Sequence, residues 1–457
     1  MPAEGKKHQI DEVNLKYGDK WIWGIYFVLI IVSIIESYSA SSQIVGGNIY
    51  KPLINQCIFL LAGFALVRFV CVLRYNNPWL LMGLIPLMWL VSVISLVWVF
   101  MAGESVNGAA RAVPIAGFSF QPAELAKLSV VTMLAFLLAR SQGRKNVKTS
   151  GLISCVVVVG IFGALMFRDG LTNMLLLMAI GFSMMLTGGV SLKKLVGVLI
   201  AFAVVGAIAL AFKSHNDERD RVVEQSTMVA QQGADAAAKG KEIDRSDTRK
   251  QRIRRWLHSD SLIYAPINDA NSQEIYSHFA QAHGGLTGAG LGKSRECSRL
   301  PLAFSDYIFS IIVEELGFIG GVLLLLVYMA LLGRAAVIAT RCRRALPALL
   351  IIGMASMITY QALCHMAINV GVMPVSGQPL PLISKGGTSM LVNSLAFGIM
   401  LCVSRSVANG YDRSDGDNRN RKNNNKDNND GDDQASIASA MLDEASNPTQ
   451  ILKNEWK

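Results

Sequence analysis

Charged side chains are scarce in this chain of 457 residues: they make up 17% of it, whereas apolar side chains make up 52%. The cysteines are also few, seven in all, and no two form a C-x-x-C pair. Most of them fall in apolar runs, so neither a disulfide framework nor a metal site is expected. The net charge is +10, but no helix-turn-helix, RNA-binding or zinc signature accompanies it, which argues against a nucleic-acid partner.

Long apolar runs are what the chain has in abundance. Runs near or above the ~18 residues that a helix needs to cross a bilayer recur along the sequence. The candidate spans begin near Trp21, Leu53, Trp79, Ala123, Gly151, Thr172, Leu195, Asp306, Ala345 and Ser389. The sequence therefore predicts an all-α polytopic membrane protein with about ten transmembrane helices.

Basic residues are concentrated in every second loop between these spans. Four lysines precede the first span, and the clusters at 140–148 and 341–344 fall in alternate loops further along. Basic loops stay on the cytoplasmic side of a membrane. With an even number of spans, both the N and the C terminus are then predicted to be cytoplasmic.

Two long segments are too polar to lie in the membrane. The first, 213–304, falls between the seventh and eighth spans and is external by span parity; loops of this length are usually functional or disordered. The second, 406–457, is rich in Asn and Asp and cannot bury a core, so we expect a disordered cytoplasmic tail. The predicted division is a cytoplasmic segment at 1–20, a transmembrane domain at 21–405 that includes the external loop, and the tail.

Glu124 and Lys127 lie three residues apart at the start of the fourth predicted span and therefore share a helix face. An ionisable group inside a span costs roughly 2.5–3.5 kcal/mol on insertion scales, so it is functional or paired. One interpretation is a neutralising ion pair that only permits insertion. The other is an outward-facing site shared with Arg111 and Asp306. Taken alone, Asp306 is interpreted as a carboxylate at a helix N-terminus, favoured by the helix dipole in a purely structural role.

The segment between the last two predicted spans is the most distinctive stretch of the sequence. Residues 374–389 read PVSGQPLPLISKGGTS, with three prolines and three glycines. Such a composition cannot continue a helix. Irregular backbone at membrane depth is tolerated only where protein or a cavity covers it. We therefore expect a structured loop at a membrane face.

This loop resembles the signature of the shape, elongation, division and sporulation (SEDS) family. Four further stretches resemble that family in the same order: NGAAR at 107–111, QPAELAKL at 121–128, GGLTGAGLG at 284–292 and LPLAFSDYIFSIIVEELG at 300–317. The resemblance covers nearly all of the hydrophobic chain. It departs at Phe304, where the family usually has His, and at Lys385, where it has Tyr. His365 replaces a common Asn, and we interpret it as a hydrogen-bonded packing residue.

The resemblance implies a peptidoglycan glycosyltransferase that polymerises lipid II into β-1,4-linked glycan strands by inverting displacement. Asp306 would be the catalytic base for the acceptor hydroxyl, and cations would face the departing diphosphate. The residues implied to contact substrate are Arg111, Glu124, Lys127, Ser384, Gly386 and Gly387. No cofactor is certain from the resemblance, and a divalent cation, Mg²⁺ or Mn²⁺, stays open.

The resemblance also implies partners and a place in the cell. The partners are lipid II, a class B penicillin-binding protein transpeptidase and other division proteins, in the bacterial cytoplasmic (inner) membrane at the division septum. The amino-acid sequence of residues 377–381, GQPLP, favours the division branch of the family, while elongation and sporulation roles stay open. The alternatives are a lipid II flippase and a structural scaffold. The sequence lacks paired broken helices in its two halves, which argues against a transporter.

Overall fold

Backbone groups in lipid must form hydrogen bonds within their own segment, so unbroken apolar sequence gives long helices. The computed structural model describes residues 18–42, 50–73, 85–102, 113–115, 118–143, 147–167, 170–202, 256, 267, 271–300 and 303–408. Arg111, most of the predicted loop before 271, and the tail from 409 lie outside the described residues.

The described helices follow the predicted spans in order. They are α1 (Lys20–Ser42), α2 (Tyr50–Val72), α3 (Ile85–Ala102), α4 (Pro122–Arg140), α5 (Thr149–Phe167), α6 (Leu171–Thr187), α7 (192–202), α8 (Ser272–Gly284), α9 (Ile308–Ala339), α10 (Ala345–Asn369) and α11 (Gly387–Ala408). Seven of them are long and apolar enough to cross a membrane, and α3 and α6 contain shorter apolar helices. The prediction of a helical polytopic membrane protein is confirmed; the exact number of spans stays a prediction.

One element departs from the all-helical expectation. Strands β1 (Val113–Ile115) and β2 (Phe118–Phe120) pair antiparallel just before α4, with Val113 opposite Phe120. Two strands that lie so close together in the sequence form local hydrogen bonds, which a hydropathy pattern does not reveal. The hairpin leads directly into α4.

The two ends of the bundle differ in character. One end, called the loop end here, carries the hairpin, α8 and the segment 370–386. The other, called the basic end, carries residues 141–143, 147–148 and 340–344. That the basic end faces the cytoplasm, as its arginines and lysines indicate, stays a prediction.

Helices α4 and α10 form the centre of the bundle. Their spans are 78% and 83% buried, whereas those of α2 and α9 are only 28% buried. A helix that is apolar all round, and whose outer side is not covered by the rest of the protein, is suited to face lipid. The polar residues on α4 and α10 are therefore enclosed by protein, and this enclosure positions the site described below.

Asp19 joins three helices at the basic end. Its carboxylate accepts hydrogen bonds from Trp21 N and Ile22 N, at 3.0 and 3.2 Å, and so caps α1. The same carboxylate accepts two hydrogen bonds from Arg334 Nε on α9, at 3.1 and 3.2 Å. Its backbone N–H donates to Ser404 Oγ on α11 at 2.9 Å. The N-terminus of α1 is thus held by contacts with α9 and α11.

Helix α9 is broken at Gly317, whose φ is 73°. The backbone groups released by the break form hydrogen bonds with the glycine-rich segment 285–290. These bonds run from Ala289 N to Glu314 O (2.9 Å), Gly290 N to Glu315 O (3.0 Å), Phe318 N to Gly285 O (2.9 Å) and Ile319 N to Leu286 O (3.3 Å). Because these four groups find partners in the glycine-rich segment, the break is compatible with a membrane setting.

Replacing Gly317 by alanine is expected to destabilise the protein strongly. A Cβ there would lie 2.3 Å from Leu286 O, and the left-handed conformation itself costs roughly 1–2 kcal/mol for a residue other than glycine. Gly333→Ala on the same helix is the matched control, since a Cβ at Gly333 meets no described atom within 4 Å. Thermal unfolding in detergent should show a lower midpoint for Gly317→Ala alone. Equal midpoints would contradict the prediction.

Candidate active site at the loop end

Glu124 and Lys127 form a buried ion pair at the start of α4. Lys127 Nζ lies 2.7 Å from Glu124 Oε1, and the two residues are 0% and 3% exposed. Gln361 on α10 completes the group: its Oε1 accepts from Lys127 Nζ at 3.1 Å, while its Nε2 donates to Glu124 Oε1 at 3.3 Å and to Pro379 O at 3.2 Å. The pair is therefore both neutralised and hydrogen-bonded.

This burial bears on the two interpretations that the sequence left open. The structure encloses Glu124 and Lys127 between α4, α10 and the loop 370–386, as expected for a neutralising ion pair. Burying a charge is costly unless it is paired, and the pair meets that condition internally. Contact of either residue with substrate stays a prediction, as does the role of Arg111, which lies outside the described residues.

Three polar residues spaced four apart form a stripe on the buried face of α10. They are Gln361, His365 and Asn369. The Nδ1 atom of His365 lies 2.6 Å from Gln378 O; a carbonyl only accepts, so Nδ1 carries the proton and donates. The interpretation of His365 as a hydrogen-bonded packing residue is thus supported. Gln361 and Asn369 were not identified from the sequence, although residues four apart on a helix share a face, with His365 between them.

Asp306 lies at the loop end, two residues before α9 begins, and is part-exposed. Ser305 Oγ donates to Asp306 Oδ1 at 2.7 Å. A carboxylate at a helix N-terminus is stabilised by the positive end of the helix dipole. Asp306 is thus less enclosed than Glu124, which is 3% exposed.

Three consecutive carbonyls in the turn that carries Asp306 are each held by a donor from elsewhere in the chain. The bonds run from Lys385 N to Phe304 O (2.9 Å), from Ser384 Oγ to Ser305 O (2.7 Å) and from Asn369 Nδ2 to Asp306 O (3.1 Å). We call these bonds the carbonyl clamp. The clamp fixes the backbone of Asp306 against both α10 and the loop 370–386, so the carboxylate is presented from a rigid support.

The other loop residues predicted to bind substrate, Ser384, Gly386 and Gly387, differ in how tightly the surrounding residues enclose them. Ser384 is 2% exposed, and its hydroxyl also accepts from Leu380 N at 2.7 Å, so it holds the loop together. A Cβ on Gly387 would lie 2.5 Å from the ring of Phe59, so that position requires glycine for packing. Gly386 is less confined. Substrate contact by these residues stays a prediction.

A second group of buried carboxylates lies where α9 meets α1 and the glycine-rich segment. Glu314 accepts from Arg295 N at 2.8 Å, and Glu315 accepts from Ser39 Oγ at 2.5 Å. Burial, together with Glu315, Glu314 and Glu36, raises the pKa of the Cys297 thiol to about 12. Cys297 therefore stays protonated and unreactive at neutral pH.

The fold and the site together define a polytopic membrane protein that presents a part-exposed carboxylate on a rigid support at one end of a helical bundle. Residues 19–409 match the family model described as "Cell cycle protein", which covers FtsW, RodA and SpoVE. The chain belongs to this family. The resemblance stated from the motifs is thereby confirmed over nearly the whole described bundle.

Two relatives match this chain over most of its length and most of their own. A protein of Trichlorobacter lovleyi is 29% identical over 381 residues, covering 81% of this chain and 89% of the relative. A protein of Enterococcus hirae is 28% identical over 407 residues, covering 84% and 92%. Both are named "Probable peptidoglycan glycosyltransferase FtsW".

Solved structures share the fold. One, described as "Structural coordination of polymerization and crosslinking by a peptidoglycan synthase complex", matches with a TM-score of 0.61 and 23% identity over 86% of this chain and 98% of that chain. The rod shape determining protein RodA of Thermus thermophilus matches with a TM-score of 0.56 and 21% identity, covering 86% and 97%. At these identities the likeness establishes the helical architecture alone.

Proposed function

We propose that this chain is a peptidoglycan glycosyltransferase that polymerises lipid II into β-1,4-linked glycan strands. The family, and relatives named peptidoglycan glycosyltransferase over most of their length, support the activity. The observation that carries the proposal is the geometry of Asp306, whose part-exposed carboxylate stands on the carbonyl clamp. A base must be reachable by substrate and held in place, and the partial exposure of Asp306 and its carbonyl clamp support that role.

In the proposed reaction Asp306 takes the proton from the 4-hydroxyl of the acceptor N-acetylglucosamine. The hydroxyl oxygen forms a bond to the anomeric carbon of the donor sugar as the bond to the diphosphate breaks on the opposite face. The α-linked donor thus becomes a β-linked product, and the diphosphate leaves with its negative charge. Cations near the leaving group would stabilise that charge in the transition state.

The proposed setting is the bacterial cytoplasmic membrane at the division septum. We infer a class B penicillin-binding protein as partner, since glycan strands must be crosslinked after they are polymerised. The fold likeness to a protein from a complex described as coordinating polymerisation and crosslinking supports this choice of partner. Other division proteins would join the same assembly.

The proposal is tested by giving fluorescent lipid II to the purified protein, with and without its penicillin-binding protein, and sizing the products on a gel. Parallel reactions with Mg²⁺, Mn²⁺ or a chelator would reveal any dependence on a divalent cation. Ladders of glycan polymer are expected. If no polymer forms while the protein moves lipid II between the leaflets of vesicles, the protein is a flippase and the proposal fails.

Ser384→Ala is expected to lower the turnover number about tenfold and to leave KM for lipid II nearly unchanged. The change removes the donor to Ser305 O and also the acceptor of the buried Leu380 N, and leaving a buried polar group without its partner costs about 1–3 kcal/mol. Ser384→Thr keeps the hydroxyl and should recover most of the rate. Ser389→Ala, at a buried serine outside the clamp, is the control. A rise in KM with an unchanged turnover number would instead favour direct substrate contact by Ser384.

A further inference from the structure

Lys385 is an exposed cation attached directly to the turn that carries Asp306. Its backbone N–H donates to Phe304 O at 2.9 Å as part of the carbonyl clamp. Its ammonium lies 5.8 Å from the centre of the Phe304 ring. Phe304 in turn precedes Asp306 by two residues, so the cation and the carboxylate belong to one small, rigid unit.

The charge of Lys385 is available for a ligand. Within the described part of the chain, no carboxylate forms an ion pair with its ammonium. The negative face of an aromatic ring attracts an ammonium and restricts its position without neutralising it. Lys127, in contrast, is wholly enclosed and bound to Glu124 and Gln361. Of these two lysines, only Lys385 can reach a ligand in this conformation.

Two departures from the family pattern meet in this contact. Phe304 stands where the pattern has His, and Lys385 stands where it has Tyr. In this chain the uncharged ring of Phe304 therefore contacts the charged side chain of Lys385.

We propose that Lys385 binds the diphosphate of the lipid-linked saccharide donor and stabilises the charge that develops on it as the glycosidic bond breaks. This inference rests on the proposed glycosyltransferase function. A lysine ammonium is a point charge with three donors and is suited to phosphate oxygens. The Phe304 ring limits the positions of the ammonium, so less conformational freedom is lost on binding.

The experiment compares diphosphate binding and polymer formation in five proteins. Wild type, Lys385→Gln, Lys385→Arg, Phe304→Leu and Lys293→Gln are prepared in detergent, the last as a control because Lys293 is an exposed lysine outside the clamp. Farnesyl diphosphate is the probe for binding, with farnesol as the uncharged comparison. KM and kcat are measured with lipid II.

We expect Lys385→Gln to bind farnesyl diphosphate about tenfold or more weakly, as for loss of a hydrogen bond to a charged group. Farnesol binding should not change. Lys385→Arg should keep most of the affinity, Lys293→Gln should match wild type, and Phe304→Leu should weaken binding about two- to fivefold through loss of the ring face. The dependence of binding on salt should be shallower in Lys385→Gln.

The two proposals fail in different ways. Unchanged diphosphate affinity in a folded Lys385→Gln protein would overturn the role of Lys385 even if wild type polymerises lipid II. Equal losses in Lys385→Gln and Lys293→Gln would also overturn it, because a diffuse surface charge would then explain binding. A wild type that binds the diphosphate through Lys385 but forms no polymer would refute the glycosyltransferase assignment alone.

Discussion

Asp306→Asn is expected to reduce polymer formation by ~10²–10⁴-fold, the usual cost of losing a general base. The change removes the proton acceptor and alters little else. The amide oxygen of asparagine can still accept from Ser305 Oγ, and the clamp bond to Asn369 uses the backbone carbonyl, which is unchanged. Membrane insertion and binding of the penicillin-binding protein should therefore survive.

The measurement is glycan polymer formed from lipid II at equal, verified amounts of inserted protein. Ser305→Ala is the matched control, because it removes the hydroxyl beside the carboxylate while keeping the carboxylate and the clamp. Its rate should fall far less. Full activity in Asp306→Asn would mean that this carboxylate is not the base.

Lys127→Met is expected to lower the free energy of unfolding by about 3–5 kcal/mol, the range found when one partner of a buried ion pair is removed. Glu124 would then remain buried, with Gln361 as its described hydrogen-bond donor at 3.3 Å. The double variant Glu124→Gln/Lys127→Met removes both charges at similar volume. Its stability should return close to that of wild type.

Thermal unfolding in detergent measures the stability of the single and double variants, and the lipid II assay then separates the two interpretations of the pair. Polymer formation restored in the double variant would assign the pair to structure. Stability restored without polymer would assign it to the reaction. A Lys127→Met protein as stable as wild type would contradict the expected cost.

Hydropathy predicted the bundle well because each span is a local property of the sequence. The predicted starts at Ala123 and Ala345 agree with α4 and α10 to within a residue or two. Asp306 could also be placed before a helix, since its motif ends where an apolar run begins. Local pattern is sufficient where a helix forms its own hydrogen bonds.

Contacts between segments that are distant in the sequence could not be predicted from it. Lys127 and Gln361 are 234 residues apart, and no local pattern states that they meet. The same holds for the break at Gly317, which depends on the glycine-rich segment that pairs with it. A run that reads as one continuous span is therefore two helical pieces, because tertiary hydrogen bonds replace helical ones.

The contacts of Asp19 also have a consequence for synthesis of the chain. Translation produces α1 long before α9 and α11, since Arg334 follows Asp19 by 315 residues and Ser404 by 385. Domains form in the order in which they emerge from the ribosome, but this contact cannot. The first helix acquires its last partners only in a chain translated to at least residue 404. A nascent chain that stops before residue 334 lacks the arginine that pairs with the carboxylate at the beginning of its first membrane helix.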